Sequence, residues 1–369
     1  MRRVSLSVCA LLATAGCGDD IPTILPGSST STDAPTASGT TADAPSPDGS
    51  GNDNGSGSDG GPAVGCGPSS SSNLADCVDA AAYEQDVRFI ADIRVPGDSH
   101  WLAVQEMCAD RLEMLGYDLI LQDYGTGINV LGFRMGTTAP NEVVLVGAHY
   151  DHIPDCMGAD DNATGVAASL EVARILADAP TQRSLGIACW DQEELGLIGS
   201  TAFVQIGLGE AQAVHTYFNY DMIGITRNEP NSQQVPLGLD AIFPEQYAKV
   251  QANEFRGDFI TLIADELAAT PSEAFVGHAD ARGLPHIEIV LSAVLKLSDP
   301  VSDLRRSDHA PFWYADIPAV FLTDTAELRH DNYHCIGTED TPDDLDFAFA
   351  TKVVAASVGA VADTLVLAE

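Results

Sequence analysis

The 369-residue chain is long enough for one large domain, or two small ones, around a sizeable core. Asp and Glu number 54 against 17 Lys and Arg, a formal charge of -37. That balance excludes a nucleic-acid binder, which needs a basic surface to displace counterions. It leaves a solvated, self-repelling surface, carboxylates gathered in a metal site, or both.

In chain order, Arg2 and Arg3 precede a short apolar stretch over residues 4–15. It is too short for a permanent membrane helix and reads as an export signal over 1–17. The stretch ends in Thr14-Ala15-Gly16-Cys17, which resembles a bacterial lipoprotein processing site, with Thr14 where Leu is usual. Cys17 would then be lipidated and tether the protein to a membrane of the cell envelope. The other reading is an ordinary cleaved signal with an incidental cysteine and a periplasmic or secreted product. Residues 18–73 are rich in Ser, Thr, Gly, Pro and Asp and nearly free of large apolar side chains, which predicts a disordered tether.

From residue 74 onward the texture is that of a folded domain, expected over 74–369. "EVVLVGAH", "SLGIACW", "HTYFNYDM" and "IPAVFLT" read as buried strands. Residues 164–178 have helical apolar spacing, and 98–116 and 348–367 also read as helices. Strands alternating with helices predict an α/β fold: a single domain with a mixed, mostly parallel central sheet and helices on both faces. Residues 227–306 give no clear period. Six cysteines remain after Cys9 and Cys17, an even number that suits disulfides in an exported chain without fixing their connectivity. Cys189, inside a predicted strand, suits a buried free thiol.

Four polar clusters fall at or just after predicted strand ends. "GAHYDHI" carries His149 and Asp151, "GADDNATG" carries Asp160 and Asp161, "DQEELGLIGS" carries Glu193 and Glu194, and "NYDMIG" carries Asp221. Taken singly, these residues suit helix caps, solvated helix starts or a satisfied core histidine. Asp221 fits such a reading least, because a carboxylate after a buried strand is costly unless paired or metal-bound. In open α/β sheets, ligands bind at the carboxyl ends of strands, so the four clusters would converge on one pocket.

Together with "RSDHAPF" and "NYHCIGTEDTPDDLD", these motifs resemble, in order, the co-catalytic two-zinc exopeptidases. That family includes secreted bacterial aminopeptidases and is related to glutamate carboxypeptidases and glutaminyl cyclases. The likeness runs from about residue 85 to the end of the chain. It implies two zinc ions per chain, one held by His149 and Asp221, the other by Glu194 and His334, with Asp161 bridging them. It implies that Asp151 orients His149 by accepting its second ring N–H, and that Glu193 is the general base. Tyr333 would hydrogen-bond the oxyanion or simply pack, and Ser307, Asp308 and His309 would lie near the pocket. A disulfide between Cys156 and Cys335 would brace two of the metal-binding loops.

The function so implied is hydrolysis of the N-terminal bond of peptides or proteins. The alternatives on the same scaffold are a glutaminyl-peptide cyclotransferase and a carboxypeptidase, with Arg305 and Arg306 as candidate carboxylate binders. A non-catalytic binding module is the alternative of a different class. A serine triad is disfavoured, since three consecutive residues in "RSDHAPF" cannot supply its geometry and no GxSxG elbow is present.

Overall fold

The computed structural model describes residues 66–67, 69–207 and 212–368. The expected export signal, the lipidation site at Cys17 and the tether as far as residue 65 lie outside the described residues. Helix α1, Ser71–Ala75, begins inside the stretch read as tether: the Ser70 hydroxyl accepts the Asn73 N–H, and Leu74 is buried. Cys66 and Cys77 form a disulfide.

Helices α2 (Ala80–Ile90) and α3 (Ser99–Met114) lead into strands β1 (Asp118–Asp123), β2 (Ile128–Arg134) and β3 (Ala139–His149). Then come α4 (Gly165–Leu176), β4 (Arg183–Trp190), α5 (Ile198–Ile206) and β5 (Ala213–Tyr220). The stretch that gave no period holds α6 (Leu239–Ile242), α7 (Pro244–Ala252), β6 (Ile260–Asp265), α8 (Ala269–Ala281) and β7 (His286–Leu291). Helix α9 (His309–Tyr314), β8 (Ala319–Thr323) and α10 (Phe347–Leu365) complete the order.

The strands form one sheet in the order β1-β2-β4-β3-β5-β8-β6-β7. Its centre, β4-β3-β5-β8, is parallel, and antiparallel pairings join β2 to β4 and β6 to β8. Alternate residues of β3 supply opposite faces. Val144 and Val146 pack into a core with α2, α3, α4, α8 and α10, while Val143 and Leu145 pack into a second with α5, α7 and α9. A sheet covered on both faces needs apolar residues at every position, which is why β3 and β4 read as unbroken runs. The fold is the expected single α/β domain with a mixed sheet and helices on both faces.

Helix α10 is, among the described residues, the one helix long and apolar enough to cross a membrane, and it is mostly buried in the domain core.

Candidate metal centre

Every parallel central strand delivers polar residues at its carboxyl end. His149 closes β3, Glu193 and Glu194 follow β4, Asp221 follows β5, and the loop after β8 carries Tyr333 and His334. Asp161 comes from the 159–164 turn that opens α4. Arg94, fully buried, shapes this turn by donating to the carbonyls of Met157, Gly158 and Asp161. Burial pulls the Arg94 guanidinium down to about 10, against the nearby carboxylates led by Asp161. From the other side, the Asp340 carboxylate accepts the backbone N–H groups of Asp160 and Asp161. Asp160 itself turns away and accepts the Gly224 N–H.

Asp161 therefore offers one carboxylate oxygen to each of two donor sets. Its Oδ1 lies 3.4 Å from His149 Nε2, which is 3.6 Å from Asp221 Oδ1. Its Oδ2 lies 3.2 Å from His334 Nε2, which is 3.3 Å from Glu194 Oε2. Zinc bonds of about 2.0–2.2 Å in a tetrahedron put neighbouring donors roughly 3.3–3.6 Å apart. Both sets lie within about 0.1 Å of that spacing, with the N and O donors zinc takes. His149 Nε2 is buried without a hydrogen-bond partner, a state that a cation between it and the two aspartates would relieve. The five residues expected to hold metal are thus brought together and fit the group.

The charge balance points the same way. Burial works against a charge on His149, yet Glu193, Asp151, Asp161 and Asp221 outweigh it and raise the imidazole well above its usual range. Asp161 is held well below the usual carboxylate range because His149 and His334 overcome the effect of burial. Glu193 goes the other way. Burial lifts it well above the usual range; His149 opposes the shift, and Asp308, Asp221 and Glu194 add to it.

The expected role of Asp151 divides between its two ends. His149 Nδ1 donates to the main-chain carbonyl of Asp151 at 3.2 Å, nearer than the Asp151 carboxylate at 3.7 Å. The carboxylate is taken up by the next loop, accepting the backbone N–H of Glu193 at 2.9 Å and of Glu194 at 3.3 Å. Tyr333 stacks on the His334 ring, and its hydroxyl accepts a hydrogen bond from Arg306 at 3.1 Å. The Cys156–Cys335 disulfide is formed and ties the loop after β3 to the His334 loop. Cys189 is a free, buried thiol, as is Cys108.

The "RSDHAPF" residues line up beside the centre without making a triad. His309 gives its Nε2 to the Leu304 carbonyl at 2.8 Å, and Ser307 accepts from Asn219. Asp308 is fully buried, and burial raises it to about 7 against the pull of His149. One residue was missed. His152, also fully buried, places Nδ1 2.8 Å from Glu194 Oε1. The signal was present as a second histidine three positions after His149.

A cavity of about 340 Å³ opens from the donor sets. Glu193, Tyr333 and Arg306 lie at its polar end, and Leu239, Phe243, Ile263, Ile289 and Phe321 are among its apolar walls. Most of the walls come from the 227–306 stretch.

The family model described as Peptidase family M28 matches residues 129–261, the stretch that holds His149, Asp161, Glu194 and Asp221. Over that stretch the chain resembles the M28 peptidases. Over 262 residues the chain is 28% identical to the protein YfbL of Escherichia coli (strain K12), covering 64% of the chain and 68% of YfbL. It is 45% identical over 86 residues to an aminopeptidase of Pseudomonas aeruginosa (strain UCBPP-PA14). That match takes in 23% of the chain but only 16% of the relative's length. Among solved structures, a zinc aminopeptidase from Bacillus subtilis shares the fold with a TM-score of 0.59 at 14% identity, covering 78% of this chain and 96% of that one.

Proposed function

We propose that the domain is a two-zinc aminopeptidase, with one ion held by His149, Asp161 and Asp221 and the other by Asp161, Glu194 and His334. The observation that carries this reading is the Asp161 carboxylate, whose two oxygens each complete a donor set at ligand spacing. Two zinc ions there would polarise the scissile carbonyl and lower the pKa of an attacking water. The chain's own residues supply the rest. Glu193, lifted by burial, takes the water's proton and passes it to the leaving amine. Tyr333 receives a hydrogen bond from Arg306 and so has its own O–H free to donate to the developing oxyanion. The substrate's free amine is held by Glu193 and the outer oxygen of Asp221.

The apolar cavity walls suit a bulky apolar first residue, whose burial contributes about 1.5–3 kcal/mol. Carboxypeptidase action is disfavoured because both candidate arginines are engaged. Arg305 donates to the carbonyls of Lys296 and Ser298, and Arg306 pairs with Glu327 and Tyr333. The test is an assay of the zinc-loaded protein on amino-acyl arylamides, with N-blocked equivalents and a Gln-initial peptide alongside. Leu and Phe arylamides should be cleaved fastest. Turnover of the blocked forms alone, or cyclisation of the Gln peptide without hydrolysis, would overturn the reading.

The same reading places the domain outside the cytoplasm, on a tether over 18–73 anchored through a lipidated Cys17. The two disulfides support an oxidising compartment. Cys17→Ala should move the protein from the membrane fraction to the soluble fraction. An unchanged distribution would remove the lipid anchor.

A further inference from the structure

His152 stands beside the second donor set with no role in the reaction just described. Its Nδ1 is 2.8 Å from Glu194 Oε1 and 3.9 Å from Asp161 Oδ1, and the three atoms are close enough to one another to share a cation. Two observations decide against ligation. First, 2.8 Å is a hydrogen-bond length, shorter than the roughly 3.3–3.6 Å between donors on one tetrahedral ion, and 3.9 Å exceeds it. Second, a ligating imidazole gives its other ring N–H to an acceptor. His149 does so through Nδ1, whereas His152 Nε2 is buried with no partner. With Nδ1 donating, Nε2 carries only a lone pair; with Nδ1 on a metal, Nε2 would carry a proton and have no acceptor for it, unlike a ligating histidine.

We propose that His152 is the positioning residue of the second metal set. It donates Nδ1–H to Glu194 Oε1 and so leaves Oε2 as the single oxygen that Glu194 turns toward His334 and Asp161. The protein builds around this contact. The backbone N–H of His152 donates to the Arg94 carbonyl, and Gly158, at φ +59°, lies so close to the ring that a Cβ there would strike it. Held by one oxygen, Glu194 coordinates through the other. Released, it is free to rotate or chelate, and the second ion is held less firmly.

The inference rests on the two-zinc reading, and the experiment separates the two. Zinc per chain is measured across buffered free zinc for wild type, His152→Ala and His152→Asn, with melting temperatures of the metal-free proteins. Wild type should take two ions. His152→Ala should keep the first with unchanged affinity and bind the second about 10- to 100-fold more weakly. His152→Asn, whose amide N–H can occupy the Nδ1 position, should recover most of that loss. An unchanged second constant in His152→Ala overturns the proposal. An Asn variant as weak as Ala makes Nδ1 a ligand instead, and loss of both ions with a lower metal-free melting temperature makes His152 a packing residue. A wild type that never exceeds one ion ends the two-zinc reading, and the proposal with it.

Discussion

Glu193 and Glu194 are chain neighbours with opposite surroundings. Burial and the Asp161 charge push Glu194 up, but the imidazoles of His152, His334 and His149 outweigh them and hold it below its usual range, while Glu193 is raised by burial and by like charges. Glu193→Gln keeps the size of the side chain and removes the proton acceptor. Turnover should fall about 10²- to 10⁴-fold, with zinc content unchanged by elemental analysis. A rate near wild type would exclude Glu193 as the base. His309 offers a pH prediction away from the ligands. Burial between Phe321 and Trp313 lowers it from 6.5 to about 3. A depressed histidine contributes stability that is present above its unfolded pKa and lost as pH falls toward the folded value. From pH 7 to pH 5 this one group should remove about 2 kcal/mol. His309→Phe, even if less stable at neutral pH, should lose less on that interval in chemical unfolding, and an equal loss would contradict the assignment. At this scale the motifs pointed to the five side chains that come together around Asp161 and to Glu193 beside them. What spacing could not tell was which atom of a residue faces its partner. Asp151 holds His149 most closely by its main chain, and His152 acts beside a ligand motif without being part of it.

Elements buried on both sides were the legible ones. β3, β4, β5 and β8 are apolar runs because helices cover both faces of the sheet, and α4 shows a clean helical period beneath them. β1 is an edge strand, largely exposed, with no apolar face to show. β6 and β7 are six residues each, and although β7 alternates, burying Ile287, Ile289 and Leu291 on one face, so short a run does not stand out among the short helices and loops around it. The turn before α4 was read as a ligand loop, but its shape was hidden, because Arg94 and Asp340 impose it from distant parts of the chain. Gly158 belongs to that turn, and its positive φ leaves no room for a side chain against Asp161 and His152. Gly158→Ala should cost about 1–3 kcal/mol in unfolding and lower zinc content. A variant with wild-type stability and full zinc would show that the turn can yield.

Across the whole molecule, the donor-bearing part and the cavity-lining part of the site separate. The parallel centre of the sheet holds the donors, whereas the antiparallel wing beyond β8 supplies the cavity that selects a side chain. The two are joined by the last donor, His334, which sits on a loop after β8 and is fastened to the loop after β3 by the Cys156–Cys335 bond, closing 179 residues of chain. Chain entropy alone assigns such a closure about 5 kcal/mol. With Cys156→Ala and Cys335→Ala combined, unfolding should come earlier in denaturant, and the second zinc should be lost before the first. Equal retention of both ions would show that the loop needs no fastening. The bond also has a consequence for timing. On the two-zinc reading, a chain whose Cys156 and Cys335 are still reduced would carry an unlatched His334 and an incomplete second set, so any activity of the centre would mature only once that bond has formed.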